Sequence, residues 1–126
     1  MGMNKRKTGN SGELAAVGYL RKRGIRIIEH NFRIRQGEID LVGYDHGVLV
    51  FFEVKYRKSA ACGLPQDAVG IRKQEKICKV AAYYRSFHNI RDNVSVRYDV
   101  IAILGDRITW IKNAFPERYA GAGGSY

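Results

Sequence analysis

Hydrophobic and polar positions follow helical or strand spacing along most of the chain. The segment SGELAAVGYLRKRG places apolar residues at helical spacing and ends in a basic turn at Gly24, which predicts an amphipathic first helix, with ordered structure beginning at Asn10 or Ser11. The following IRIIEHNFRIR is rich in branched and aromatic residues and predicts a strand. Apolar positions recur at three-to-four spacing within residues 64–88, which predicts a second, long helix.

Four more strands are predicted in two pairs. GEIDLVGYDHGVLVFFEVKYR, residues 37–57, predicts two strands with a short loop, and VSVRYDVIAIL and RITWIKN flank a Gly-Asp turn. The element order is α-β-β-β-α-β-β, which predicts an α/β domain with a central mixed five-stranded sheet flanked by helices. We place this domain at residues 10–115, between a mobile basic arm at 1–9 and a flexible Gly-rich tail at 116–126.

Charged residues stand among the apolar residues of the 37–57 segment. A two-residue loop, His46-Gly47 with Gly47 at positive φ, sets three facing pairs: Asp45 with Val48, Asp40 with Glu53, and Glu38 with Lys55. A three-residue loop breaks this pairing by one residue. We prefer the two-residue loop because it gathers the polar side chains on one face and leaves the other face, with Ile39 and Leu41, apolar.

Two facing carboxylates indicate a cation site. Asp40 and Glu53 repel one another unless one is protonated or a cation lies between them, and oxygen ligands without Cys or His favour Mg²⁺ or Mn²⁺. Lys55, on the same face, can orient the attacking water, while Glu38 is expected to hold Lys55 in place. The alternative is a structural salt-bridge cluster on an exposed sheet edge, against which the apolar residues on both faces of 49–54 argue.

The charge balance favours a polyanionic partner. Twenty-two Lys and Arg against 12 Asp and Glu give a net charge of +10, which suits nucleic acid ahead of an anionic membrane. No apolar run is long enough to span a bilayer and no apolar signal segment follows the basic start, so we expect a cytoplasmic protein without a membrane partner. Cys62 and Cys78 lack metal-ligand spacing and are expected to be free thiols.

Basic residues near the charged segment are candidate nucleic-acid contacts. Those on the second helix and directly after the third strand can bind phosphates: Arg57, Lys58, Arg72, Lys73, Lys76 and Lys79. Gln74 is a further candidate DNA contact. A solvated helix face has the same pattern, so both interpretations stay open. Asp99 is expected to be structural and to pair with a basic residue.

The spacing of the charged residues also resembles a known motif. Asp40, then twelve residues, then Glu53-Val54-Lys55 resembles the D…(D/E)XK motif of the PD-(D/E)XK nuclease superfamily, the restriction-endonuclease-like fold. Four blocks resemble the YraN family, bacterial proteins whose fold is similar to that of archaeal Holliday junction resolvases: SGELAAVGYL, GEIDLVGYD, LVFFEVKYR and VRYDVIAI. The resemblance covers about residues 9–115. The chain differs from the motif at Ile39, which stands where the motif has Pro before the aspartate.

The resemblance implies roles for individual residues. Asp40 and Glu53 are implied to bind Mg²⁺ or Mn²⁺, with the main-chain carbonyl of Val54 as a further ligand, and Lys55 to serve the nucleophilic water. Glu13 takes the place of a catalytic glutamate on the first helix. In the alternative interpretation, Glu13 is a carboxylate in the first helical turn that complements the helix dipole.

The expected function is metal-dependent endonucleolytic hydrolysis of DNA phosphodiester bonds, and the resemblance favours branched or junction-like DNA. Resolvases are commonly dimers, which makes a homodimer an alternative that the sequence leaves open. A nucleic-acid-binding module that keeps the fold but does not cleave is the alternative function. A basic structural or interaction domain is a third.

Overall fold

The protein is built around a mixed five-stranded sheet. The structure, a computed structural model, describes the backbone of residues 3–57 and 69–118 and the side chains of residues 12–57 and 69–118. The elements are α1 (Met3–Lys22), β1 (Arg26–Ile34), β2 (Gly37–Asp45), β3 (Val48–Arg57), α2 (Ile71–Phe87), β4 (Val96–Leu104) and β5 (Arg107–Ile111). The strands lie side by side in chain order, and β3 and β4 are parallel while the other pairs are antiparallel. The predicted α/β fold and element order are confirmed, and the arrangement is the one expected of a restriction-endonuclease-like core.

Each face of the sheet is covered by one helix. The α1 side buries Ala16, Val17 and Leu20 against strand residues that include Leu41, Val50, Phe52 and Ile101. The α2 side buries Ile77, Val80, Ala81 and Tyr84 against strand residues that include Val42, Phe51, Tyr98 and Val100. Because β3 is covered on both faces, its residues 49–53 are buried without interruption, as expected of a central strand.

The first helix ends as predicted but begins earlier. Gly24, at φ +89°, donates its N–H to the carbonyl of Arg21, and Ile25 donates its N–H to the carbonyl of Leu20, both at 3.1 Å. This pair of bonds is the Schellman arrangement, which favours glycine at the left-handed position. The helix starts at Met3, whereas the sequence predicted ordered structure from Asn10 or Ser11.

The chain after β5 packs further than predicted. Phe115 is buried, and Glu117 accepts hydrogen bonds from Tyr98 Oη at 2.7 Å and Arg85 Nη2 at 3.0 Å. The backbone N–H of Arg118 donates to Cys78 Sγ at 3.2 Å. Contacts with α2 and β4 thus continue beyond the predicted domain end at residue 115, to Glu117 and Arg118, while 119–126 lie outside the described residues.

The hairpin between β2 and β3 has the predicted two-residue loop. His46 and Gly47 have φ values of +50° and +87°, and two positive φ values in succession are the geometry of a type I′ turn. Asp45 pairs with Val48, and the register continues to Leu41 opposite Phe52. The two-residue loop is confirmed.

Candidate active site

The candidate site lies where β2 and β3 stop pairing. Their backbone pairing ends at Leu41 and Phe52, one residue short of the predicted pair Asp40 and Glu53. Beyond that point the backbone N–H of Val54 donates to Oδ2 of Asp40 at 2.7 Å. The Asp40 side chain thus supplies an acceptor where the ladder no longer does, which fixes its carboxylate beside β3.

A break in strand alternation sets the orientation of this end of β2. Ile39 packs in the cluster on the α2 side, whereas Leu41 packs on the α1 side, so the prediction that they share one apolar face is wrong. Asn31 of β1 has a φ of +51°, and the β1–β2 pairing passes from His30 and Leu41 directly to Phe32 and Ile39. A left-handed residue inside a strand rotates the chain that follows, and asparagine tolerates that conformation.

Asp40 carries a strongly perturbed carboxyl group. Burial raises its pKa to about 7. The negative charge of Glu53 and a hydrogen bond with that side chain act in the same direction, and the charge of Glu13 adds to them. The hydrogen bond from Val54 opposes the shift by stabilising the ionised form. The expected repulsion between Asp40 and Glu53 is therefore a property of the folded chain.

Glu53 is buried between two ammonium groups. Its side chain is 7% exposed, and its Oε2 lies 3.4 Å from Lys55 Nζ and 3.3 Å from Lys73 Nζ. Lys55 was predicted at the site, whereas Lys73 was predicted only as a phosphate contact on the second helix. The first turn of α2 brings Lys73 to Glu53, a contact that no local pattern in the sequence indicates.

Glu38 does not hold Lys55. Its Oε2 lies 3.2 Å from Arg33 Nη2 on the neighbouring β1 strand, and both side chains are largely exposed. The predicted pairing of Glu38 with Lys55 is wrong because β2 and β3 have already separated at that level.

Glu13 faces the site from α1. Its Oε1 accepts a hydrogen bond from Asn31 Nδ2 at 2.9 Å, and its charge contributes to the raised pKa of Asp40. Because α1 begins at Met3, Glu13 does not lie in the first helical turn, which contains no acidic residue. The helix-dipole alternative for Glu13 is therefore wrong.

The donor set at this point suits a hard divalent cation. Asp40 and Glu53 offer carboxylate oxygens, the ligands that Mg²⁺ and Mn²⁺ prefer, and Mg²⁺ is often held by one or two carboxylates together with substrate phosphates. Within residues 12–57 and 69–118, no three Asp, Glu, His or Cys side chains converge on one metal position. Two protein carboxylates therefore fit a site that substrate or water oxygens complete.

The remaining candidate nucleic-acid contacts differ in exposure and in what they contact. Arg72, Lys76 and Lys79 are exposed on α2 and line a groove of about 390 Å³. Gln74 uses its amide within the chain, since Nε2 donates to the Val69 carbonyl at 2.9 Å and Oε1 accepts from Arg118. Arg57 is half-buried and donates to the carbonyl of Tyr56 at 3.1 Å. Lys58 lies outside the described residues.

Comparison with known sequences gives the family. The model of the uncharacterised protein family UPF0102 matches residues 12–103 of this chain. The chain belongs to that family. The matched residues include Glu13 on α1, Asp40 on β2, and Glu53 and Lys55 on β3. The resemblance of the four sequence blocks to the YraN family is confirmed.

Individual relatives match over nearly their whole length. A UPF0102 protein of Lachnoclostridium phytofermentans is 42% identical over 113 residues, which cover 90% of this chain and 96% of the relative. A UPF0102 protein of Coxiella burnetii is 43% identical over 114 residues, with 90% and 95% coverage. One of Syntrophus aciditrophicus is 44% identical over 117 residues, with 90% and 91% coverage.

Asp99 is structural, as predicted. It is fully buried, and Arg97 donates to both of its oxygens at 2.9 Å. The indole of Trp110 and the backbone N–H of Asn113 also donate to it, at 2.8 and 2.9 Å. Arg97 further donates to Asp45 at 2.9 Å, so a single guanidinium joins β4 to the end of β2.

Two smaller predictions concern the thiols and the membrane. Cys78 is a buried free thiol, and burial raises its pKa, while Cys62 lies outside the described residues. Within residues 3–57 and 69–118, neither helix combines the length and the hydropathy that a membrane span requires.

Proposed function

We propose that this protein is a metal-dependent deoxyribonuclease that hydrolyses DNA phosphodiester bonds, with branched or junction-like DNA as its substrate. The observation that carries the proposal is the half-buried Asp40 carboxyl beside the buried Glu53, with the pKa of Asp40 raised to about 7. Such a pair is destabilising in the free protein, and a bound cation relieves the repulsion. The arrangement matches the residue pattern of the nuclease superfamily that the sequence resembles.

The side chains around the pair have complementary tasks. When bound by Asp40 and Glu53, Mg²⁺ or Mn²⁺ would polarise the scissile phosphate and acidify a water molecule. The Lys55 ammonium, 3.4 Å from Glu53, would orient the attacking water or donate to a phosphate oxygen. Glu13, anchored by Asn31, would present a further carboxylate to the site from α1. The carbonyl of Val54 is a candidate further ligand, since the bond from the Val54 N–H to Asp40 holds this residue beside the carboxylate.

The charge distribution supports a DNA substrate. The net charge of +10 favours binding to phosphates, and the exposed residues Arg72, Lys76 and Lys79 lie on the helix whose first turn reaches Glu53. Contacts of this kind position a nucleic acid without reading its sequence.

A second candidate is a nucleic-acid-binding module that does not cleave. It is favoured by the two ammonium groups within 3.4 Å of Glu53, because they already compensate the charge of that carboxylate without a metal. The two candidates share the DNA-binding surface and differ only in what happens at Asp40 and Glu53.

The test is a cleavage assay on flap, junction and single-stranded DNA with Mn²⁺. The wild-type protein is compared with Asp40→Asn and Lys55→Ala, and with Glu38→Gln as a matched carboxylate substitution outside the site. We expect cleavage by the wild type and Glu38→Gln only. Cleavage that survives both Asp40→Asn and Lys55→Ala rules out this site, and absence of cleavage on every substrate favours the binding module.

A further inference from the structure

One exposed face of α2 carries basic residues followed by aromatic residues. Arg72, Lys76, Lys79, Tyr83 and Phe87 succeed one another at three- or four-residue spacing, so they lie along one side of the helix. All five are exposed, and the two aromatic residues are 50% and 64% exposed. At the helical rise of about 1.5 Å per residue this line is roughly 22 Å long.

The aromatic half of this face is larger than the fold requires. The core contact of the same turn is made by Tyr84, which is buried, whereas Tyr83 and Phe87 point outward. Their rings are nearly parallel, with centroids 6.1 Å apart and planes 13° apart. Phe32 of β1 lies 6.4 Å from the Tyr83 ring. Leaving two large rings in water forgoes burial energy, which marks an apolar surface suited to a partner.

The basic half of the face borders a groove. Gln36, Arg72, Glu75, Lys76 and Lys79 line this space of about 390 Å³. Three cationic side chains against one carboxylate give the groove a net positive charge that attracts phosphates. Arg72, the first residue of the line along α2, is adjacent in sequence to Lys73, whose ammonium lies 3.3 Å from Glu53. One end of the line therefore lies beside the candidate active site.

From this arrangement we infer that the exposed face of α2 binds single-stranded DNA, with phosphates over Arg72, Lys76 and Lys79 and bases stacked on Tyr83 and Phe87. A basic track combined with aromatic rings is how proteins bind single strands without sequence preference. In a duplex the base faces are already stacked on one another, so only unpaired bases can use the rings. The aromatic half thus selects for an unpaired segment.

This inference rests on the proposed function only for the use of the surface. If the protein cleaves DNA, the α2 face identifies its substrate class as DNA with an unpaired segment next to the cleavage position. The binding itself requires neither metal nor cleavage, so it can be measured separately.

The test is fluorescence anisotropy of a short labelled oligothymidylate and of a duplex of the same length, with the full chain in EDTA. We expect Tyr83→Ala and Phe87→Ala each to weaken single-strand binding about tenfold and to change duplex binding much less. Phe87→Leu, which keeps apolar bulk without a ring, is expected to behave like Phe87→Ala. Leu14→Ala removes an exposed apolar side chain from α1 and serves as the matched control, with binding unchanged.

A second readout locates the strand. Photo-crosslinking of the same oligonucleotide carrying 5-iodouracil is expected to modify the peptide that contains Tyr83 and Phe87. The inference is overturned if Phe87→Ala leaves single-strand binding unchanged, if it weakens single-strand and duplex binding equally, or if it instead lowers the mass of a self-associated form in sedimentation. Single-strand binding without cleavage of any substrate would contradict the nuclease proposal alone.

Discussion

The ammonium of Lys73 on α2 lies 3.3 Å from the Oε2 of Glu53 on β3, and this ion pair joins the second helix to the candidate metal site. The Glu53 side chain is 7% exposed and that of Lys73 is 44% exposed. Without the ion pair the ammonium would still be solvated by water, whereas the carboxylate would lose a partner that water can hardly replace. In the absence of metal, the two neighbouring lysines are what compensates the buried charge.

Lys73→Met is therefore expected to have opposite effects with and without metal. The free energy of unfolding in EDTA should fall by about 1 kcal/mol, because one partner of Glu53 is lost. The stabilisation by Mn²⁺ should increase, because a positive charge that repels the ion is removed. Thermal unfolding with and without Mn²⁺ measures both effects. Lys76→Met, an exposed substitution on the same helix, is the control, and equal behaviour of the two variants would contradict the role assigned to Lys73.

The raised pKa of Asp40 predicts how stability varies with pH in EDTA. Since its folded pKa is about 7 and its ordinary value is 3.8, the folded state keeps a proton that the unfolded state has lost between these values. The free energy of unfolding should therefore decrease as pH rises from about 4 to about 7. Asp40→Asn removes this penalty and can still accept the Val54 N–H.

We expect Asp40→Asn to be more stable than the wild type by roughly 1 to 3 kcal/mol near pH 8, and by a smaller margin near pH 5. Urea unfolding in EDTA at both pH values measures the difference. A variant that is less stable at both would show that Asp40 acts as a structural ion-pair partner rather than a repelled carboxylate.

Much of this site could be predicted from the sequence because turn chemistry and strand periodicity are local. His46-Gly47 fixes a type I′ turn, and the register from Asp45 to Leu41 follows by counting. The counting failed one step later, at Asp40, because strand pairing ends there. At the same level of the sheet, Asn31 of the neighbouring β1 strand adopts a left-handed conformation, which the sequence of β2 cannot indicate.

Contacts between distant elements were the other part that the sequence could not supply. Lys73 stood in a helical pattern with several exposed basic residues, and only the packing of α2 on the sheet distinguishes it from Lys76. Glu117 stood in a Gly-rich terminal segment, yet it accepts a hydrogen bond from Tyr98 inside the fold. Both depend on how the helix and strands pack, which periodicity does not encode.

Arg97 is predicted to be the most sensitive charged residue for folding. It donates to Asp99, which is fully buried, and to Asp45, whose pKa its guanidinium holds below the ordinary value. Arg97→Met should lower the free energy of unfolding by about 3 kcal/mol, because it leaves a buried carboxylate without its cation. Arg33→Met, which breaks an exposed pair with Glu38, should change it by about 0.5 kcal/mol or less.

The ion pair between Arg97 and Asp45 also affects stability in acid. Because the folded pKa of Asp45 is lowered, its contribution to stability is complete above the ordinary value of 3.8 and is lost as pH falls through the lower, folded value. Asp45→Asn should therefore flatten the acid limb of a plot of unfolding free energy against pH. An unchanged acid limb would show that other carboxylates dominate it.

Glu13 is expected to affect cleavage more than stability. Glu13→Gln keeps an acceptor for Asn31 but removes a negative charge that contributes to the raised pKa of Asp40. Under the proposed function, the variant should lose cleavage by about tenfold or more while its unfolding free energy changes by less than about 1 kcal/mol. Steady-state cleavage at saturating DNA, with urea unfolding as the companion measurement, separates the two effects. Loss of stability without loss of cleavage would assign Glu13 to structure alone.

The two glutamates beside Asp40 in the predicted register offer the sharpest comparison. Glu53 is buried at the end of strand pairing and contacts Lys55 and Lys73, whereas Glu38 is exposed and contacts Arg33. Glu53→Gln keeps the shape but removes the charge that a divalent cation requires, so cleavage should fall by about a hundredfold or more and the stabilisation by Mn²⁺ should disappear. Glu38→Gln should leave both unchanged. Since the two substitutions are chemically identical, equal losses would show that charge in this region, rather than a defined ligand, governs activity.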